Sequence, residues 1–337
     1  METIMQASEF GSLKGKGASL EELSKRENHV KKIIIRHPRY QEIFNELRLL
    51  YELSKDAVSP EGLFISGPTG AGKTTLLTEF KDLNPRTQEE EFTKIPVLYV
   101  KVPPKATPKM LASKILHVIG DIFHDRGTLS NLTSRIHNYV KRCQIKMIVL
   151  DEFQHLIDSE TDHVLATASN WVKTFAEEIE IPVVLCGMPE SEKVFISNEQ
   201  LDRRFCNKLA LTPFSYVEPE DQFMFRKFLA HIDEELPFPE RSNIADSHIA
   251  EKLFYVSLGI PFYVMEMLVK GTRIAVLRGK DFIDEEVLSQ AFQKIKRSGR
   301  PFTINPFSVP YFDLDKAIKH EQSAIKVYEE KKRKKKK

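Results

Sequence analysis

The chain has 337 residues, 41% of them hydrophobic and 29% charged, which is length and apolar content for one large domain and a smaller one. Three cysteines, Cys143, Cys186 and Cys206, form no CxxC pair, which excludes a zinc knuckle or disulfide framework and predicts a reducing compartment. No apolar run approaches about 18 residues and the first residues lack a signal-peptide core, so the expectation is a cytoplasmic protein with no membrane partner.

The first strong element is the apolar strand Leu63–Ser66, which runs into Gly67-Pro68-Thr69-Gly70-Ala71-Gly72-Lys73-Thr74-Thr75 and a helix-compatible stretch to Lys81. This is a complete G-x-x-x-x-G-K-[ST] loop between a strand and a helix. Its glycines let backbone N–H groups face an anion at the helix N-terminus, Lys73 reaches the β- and γ-phosphates, and the Thr74 hydroxyl coordinates Mg²⁺. ATP with Mg²⁺ is the expected ligand.

Further strands are expected at Val97–Val102, Met147–Asp151, Val183–Gly187 and Leu209–Thr212, each short, apolar and bounded by turn residues, as in a parallel sheet buried on both faces. Between the first two, Thr107-Pro108 opens a helix whose Leu111, Ile115, Val118 and Ile119 follow the 3.6 period. The strand ending in Asp151-Glu152 places two carboxylates at the C-terminal edge of the sheet beside the phosphate loop. Asp151 is expected to hold Mg²⁺ through its water shell, and Glu152 to orient and polarise the water that attacks the γ-phosphate. Trp171 shares an apolar helical face with Phe175 and reads as core, while His155 and His163 are too isolated to suggest a metal.

After Pro213 the strand signals stop, and helices are expected near 219–235, 246–258, 262–278 and 284–296, the last capped by Asp284. The fold class is therefore α/β: a P-loop NTPase with a doubly wound, parallel five-stranded sheet and a C-terminal all-helical domain. The predicted domains are an N-terminal extension, 1–35, partly disordered; an ATPase core, 36–213; a helical lid, 214–299; and an extended segment with a basic, disordered tail, 300–337. The net charge of +2 conceals that tail: Lys331–Lys337 holds seven basic residues, leaving 43 basic against 48 acidic side chains elsewhere. It suits DNA phosphate or an acidic partner, or is simply solvated.

The order of phosphate loop, Asp-Glu strand, "VVLCGMPE", "EQLDRRF" and helical lid resembles AAA+ ATPases. More narrowly, Arg36-His-Pro-Arg39-Tyr40, "SGPTGAGKTTLL", "VLYVKVPPKATPKMLASKIL", "IVLDEFQHL", "CGMPES" and Asn305-Pro-Phe307 resemble the TniB/TnsC family of transposition regulators, over residues 35–307. The resemblance implies an ATP-dependent homo-oligomer, a ring or helical filament, on double-stranded DNA. It would link a target-selector protein to the transposase and disassemble on hydrolysis; versions associated with CRISPR systems belong to the same family. It implies that Arg203 or Arg204 acts as a finger on a neighbour's γ-phosphate; the bare reading is a solvated pair bridged to Asp202. It implies that Lys101, Lys105, Lys109, Arg126, Thr128 and Arg135 face DNA through backbone contacts, where without it they read as ordinary exposed polar side chains. The position that senses the γ-phosphate falls among Cys186, Gly187 and Met188, none of them the family's usual Asn or Thr. The lid departs from the pattern too: Gly259-Ile260-Pro261-Phe262 has an aromatic in place of an arginine, which implies slow hydrolysis with ATP chiefly a switch for assembly. Two other readings are a nucleotide-loaded scaffold with incidental hydrolysis and a replication helicase loader, which shares this core.

Overall fold

Residues 10–54, 60–157 and 162–334 are described by the structure, a computed structural model. The chain divides into two units, residues 36–212 and residues 1–35 together with 213–337.

In the unit 36–212, the strands are β1 (Leu63–Ser66), the two-residue arms β2 (Thr87–Gln88) and β3 (Thr93–Lys94) of a small hairpin, β4 (Val97–Lys101), β5 (Met147–Asp151), β6 (Val183–Gly187) and β7 (Asn207–Ala210). All but β2 and β3 form one parallel sheet in the order β4-β5-β6-β1-β7. Side chains alternate across it. Leu63, Ile65, Met147, Val149, Val184 and Cys186 pack with α2 (Pro38–Leu53) and α3 (Lys73–Leu83). Phe64, Leu98, Val100, Ile148, Leu150 and Leu185 pack on the other face with α4 (Pro108–Ile119), α5 (Leu129–Arg142), α6 (Gln154–Ile157), α7 (Asp162–Glu178), α8 (Lys193–Ile196) and α9 (Glu199–Arg204). Burial on both faces explains why these strands read as continuous apolar runs. Trp171 stacks on Phe175 with ring centroids 5.0 Å apart and packs against this core. The side chain of His163 lies outside the described residues.

The last strand lies earlier than expected. Asn207–Ala210 pairs with Leu63–Ser66, and the ladder ends as the Leu211 N–H donates to the Ser66 carbonyl at 2.7 Å. β7 is an edge strand, so its polar residues Asn207 and Lys208 hide it from a reading that looks for apolar runs. The hairpin 87–94 is largely polar, its first arm exposed and its second half-buried, and carries no apolar strand signal.

The arm before the sheet fastens onto the helix that follows the phosphate loop. Arg36 donates to Glu79 Oε1 at 2.6 and 3.0 Å, and the Tyr40 hydroxyl to Glu79 Oε2 at 2.5 Å. These contacts give the Arg-His-Pro-Arg-Tyr stretch a structural purpose: it holds α2 against α3.

The other unit contains α1 (Leu20–Lys32), α10 (Pro219–Glu235), α11 (Ser247–Ser257), α12 (Pro261–Leu277), α13 (Glu285–Gln293) and α14 (Leu314–Lys334). Asp284 caps α13 through its side chain, as expected. Gly259 has φ +71°, and a Cβ there would sit 2.0 Å from the Phe214 carbonyl oxygen, so this turn before α12 requires glycine. Within the N-terminal extension, residues 10–35 are described and include one helix. α1 packs along α12 with Val30 fully buried, and Arg26, 1% exposed, donates to Glu22 and to the carbonyls of Pro237 and Gly11, all at 2.7 Å. Glu27 is paired with Arg273. The C-terminal segment, expected to be extended and then disordered, is helical over most of its length. Residues to Lys334 continue as helix α14, anchored by Ala317 and by a buried Arg300–Glu321 pair at 2.6 Å. The side chains of residues 331–334 and all of Lys335–Lys337 lie outside the described residues. Among the described residues no single helix is long and apolar enough to cross a membrane, and the apolar pair α11 and α12 is bent by 114°.

Burial at the start of α2 holds His37 down to about 4, against an ordinary 6.5. The folded form keeps it neutral, while the unfolded chain takes up a proton below 6.5. Its contribution is therefore complete above pH 6.5 and declines as pH falls toward 4, by at most about 3 kcal/mol. Urea denaturation at pH 7 and pH 5 should show a loss of stability in the native chain that is smaller in His37→Gln.

Candidate nucleotide-binding and hydrolysis site

The phosphate loop is shaped by close approach. A Cβ on Gly67 would lie 2.5 Å from the Leu211 carbonyl oxygen, and Gly72 ends the loop with φ +102° as the N-cap of α3. Gly72 brings no capping side chain, which leaves the first turn of α3 open to an anion. Pro68 and Gly70 are half-buried, Ala71 is buried, and Thr69, Thr74 and Thr75 are exposed. Lys73 folds back over the loop, its Nζ donating to the carbonyls of Gly67 at 2.5 Å and Pro68 at 3.1 Å.

Asp151 closes β5 and is 1% exposed. Its Oδ2 accepts from Thr74 Oγ1 at 2.8 Å and from the Tyr99 hydroxyl at 2.7 Å, and its Oδ1 accepts from the Glu152 N–H at 2.8 Å. Three donors satisfy a carboxylate that burial would otherwise penalise. Burial and then the Asp151 carboxylate push the Tyr99 phenol above its usual range, so it stays a donor. Glu152 turns with φ +58°, a left-handed conformation uncommon for a side chain of this kind. Its Oε2 accepts from Gln154 Nε2 and its Oε1 lies 3.9 Å from Lys101 Nζ. The hydroxyl of Thr74 and the carboxylate of Asp151 are hard oxygen donors side by side, which suits Mg²⁺. The glycine loop is a cradle that a Cβ at Gly67 would fill. These residues fit ATP with its metal.

At the end of β6, Cys186 is fully buried and burial pushes its thiol well above its ordinary value, with Asp151 adding to the effect. Gly187 has no side chain, and the Met188 backbone N–H donates to Gln154 Oε1 at 3.3 Å.

The paired arginines of α9 part company. Arg203 is exposed and salt-bridged to Glu199 at 2.5 Å, one turn back on the same helix. Arg204 is half-buried and donates to the Ala176 carbonyl in the last turn of α7, and burial lowers its pKa. Asp202, the partner expected for the pair, instead takes Lys208. The Gly62 N–H donates to the Arg204 carbonyl at 3.0 Å, beside the start of β1. α9 therefore lies at the sheet edge opposite the phosphate loop, a strand length of roughly 13 Å away.

The expected DNA contacts also divide. Lys101, Lys105, Lys109 and Arg126 are exposed, the last with its guanidinium over Phe123 at 4.9 Å. Arg135 instead clamps the buried Asp121 and donates to the Arg126 carbonyl at 3.0 Å. The Thr128 hydroxyl is spent in a capping box with Asn131 at the start of α5. An open groove of about 460 Å³ adds Lys114, His117 and His124 beside Lys109.

The family model for the bacterial TniB protein matches residues 27–216, more than half of the chain. The chain belongs to the TniB family. No curated protein matches it. Similar solved structures include the Aeropyrum pernix ORC1 protein in complex with DNA, at 16% identity over 79% of this chain and 67% of that one, with a TM-score of 0.56. Cdc6p from Pyrobaculum aerophilum is 14% identical over 78% and 69%, at 0.56, and Drosophila ORC bound to DNA is 13% identical over 84% and 69%, at 0.52. At these identities the likeness is one of fold: an AAA+ P-loop architecture with a helical C-terminal region.

Two residues in this TniB-family site escaped the sequence reading, Tyr99 and Gln154. Tyr99 carries the only hydroxyl in an otherwise aliphatic-and-lysine strand, a usable signal. Gln154 follows the Asp-Glu pair by two residues and had none. Arg204→Ala should destabilise the unit by about 1–2 kcal/mol through the lost helix-end hydrogen bond, while Arg203→Ala should leave the denaturation midpoint unchanged.

Proposed function

We propose that this TniB-family protein is an ATPase that assembles on double-stranded DNA as a ring or filament and regulates transposition, linking a target-selector protein to the transposase. The observation that carries the reading is the separation of Arg203 from Lys73. The chain presents a phosphate loop, a metal-suited pair and a base on one sheet edge, and an exposed arginine on the other. A finger placed so serves the site of the next subunit, which makes assembly heterologous, as in a ring or filament.

In this reading Lys73 leaves the loop carbonyls to bind the β- and γ-phosphates, and Thr74 and Asp151 hold Mg²⁺. The metal, when bound, neutralises charge on the phosphate oxygens. Glu152 orients the attacking water and accepts its proton. Arg203 of an adjacent subunit stabilises the charge that develops at the γ-phosphate. Lys101 pairs with Glu152 and is also an expected DNA contact, so DNA phosphate competes for the lysine and frees the base; this supports hydrolysis stimulated by DNA. Phe262, 55% exposed at the start of α12, stands where the family resemblance places an arginine, and supports a slow turnover. The same feature favours the second reading, a nucleotide-loaded scaffold with incidental hydrolysis.

Mixing decides whether sites are shared. Lys73→Ala and Arg203→Ala should each be inactive alone, and their equimolar mixture should recover activity at roughly a quarter of its interfaces; no recovery would remove the shared site. Glu152→Gln should accumulate assemblies on DNA with ATP in negative-stain images, and assembly without nucleotide would defeat both readings. Replacing Lys105 and Lys109 by Ala should weaken DNA binding regardless of sequence and lower the salt slope by about 0.9 per lysine.

A further inference from the structure

We infer that Gln154 is a positioning residue that fixes Glu152 to the end of β6 and supplies the polar link that the side chains of Cys186, Gly187 and Met188 do not. The inference rests on the hydrolysis proposed above. One planar carboxamide spans the two elements: its Nε2 donates to Glu152 Oε2, and its Oε1 accepts from the Met188 N–H. The carboxylate only accepts and the backbone N–H only donates, so a single orientation of the amide satisfies both ends.

Two other observations point the same way. Glu152 sits at φ +58°, outside regular structure, so its carboxylate is aimed by what it touches, which is Gln154 and, more loosely, Lys101 at 3.9 Å. At the close of β6, a Cβ on Gly187 would stand 3.1 Å from Gln154 Oε1 and 2.7 Å from Ser191 Oγ. The absent side chain makes the room in which the carboxamide lies. A strand end that ordinarily presents its own polar side chain here presents a backbone N–H and borrows a side chain from the neighbouring element. The donated hydrogen bond holds the free carboxylate lone pair toward the water it must orient. Movement of the β6 end is thereby passed to the base without any change in how nucleotide is held.

The test is steady-state ATP hydrolysis by the full chain with DNA, together with binding of a fluorescent ATP analogue. Gln154→Ala should lower kcat by about 10- to 100-fold while KM and analogue binding stay within about twofold. Gln154→Glu keeps the size of the side chain but removes the donor and sets a like charge against Glu152, so kcat should fall at least as far while KM and analogue binding again stay within about twofold. If the alanine variant fails to fold, as judged by its denaturation midpoint, the kcat and KM of the glutamate variant stand as the test. Hydrolysis at the native rate in Gln154→Ala, beside an inactive Glu152→Gln, overturns the inference and leaves the ATPase reading intact. So does a joint loss of analogue binding and kcat in either variant, or a native kcat in Gln154→Glu. A native chain that hydrolyses nothing with DNA overturns both.

Discussion

The carboxylate of Asp151 is almost wholly withdrawn from water, and the unit that bears the phosphate loop is organised around keeping it satisfied. Thr74 comes to it from the first turn of α3, Tyr99 from the edge strand β4, and the Glu152 N–H from the turn that follows. Loss of any one donor leaves a buried charge short of a partner, at about 1–3 kcal/mol or more. The three contacts therefore set the position of α3 relative to two strands, and with it the mouth of the phosphate loop. The oxygens that fasten α3 to β5 are also the ones whose chemistry suits a divalent cation. Structural cohesion and ligand binding draw on the same atoms.

A second constraint is the tightness of backbone around the loop. Gly67 must lie against the Leu211 carbonyl, so the chain leaving β7 touches the chain leaving β1. This contact explains the early end of β7: after Leu211 donates to Ser66, its own carbonyl is turned toward the loop, and Pro213 has no N–H with which to continue a ladder.

What was legible in the sequence was what local chemistry dictates. The phosphate loop, β5 with its two carboxylates, and the capped starts of α4 and α13 announce themselves because their spacing is fixed by the backbone geometry they serve. Illegible elements depend on partners far along the chain. α1 carries Arg26 and Glu27 into the interior, and no local pattern reveals that Pro237, Gly11 and Arg273 wait there. α14 depends likewise on Arg300 meeting Glu321. Arg203 and Arg204 are neighbours in sequence but about 100° apart around α9, so one projects to solvent and the other caps α7. Arg135 and Thr128 show the same limit: a basic or polar residue on an exposed segment can already be committed to the fold.

The unit 1–35 with 213–337 draws its core from chain that comes before and after residues 36–212 in sequence, with Val30 of α1 fully buried beside α12 residues. During synthesis from the N-terminus, residues 36–212 can complete their sheet while α1 still lacks the helices that bury it. α1 must therefore wait, outside any core, until more than two hundred later residues have left the ribosome. A nascent chain of this protein carries an unpaired N-terminal segment, too short to be a stable helix by itself, ahead of residues that already hold the makings of a sheet.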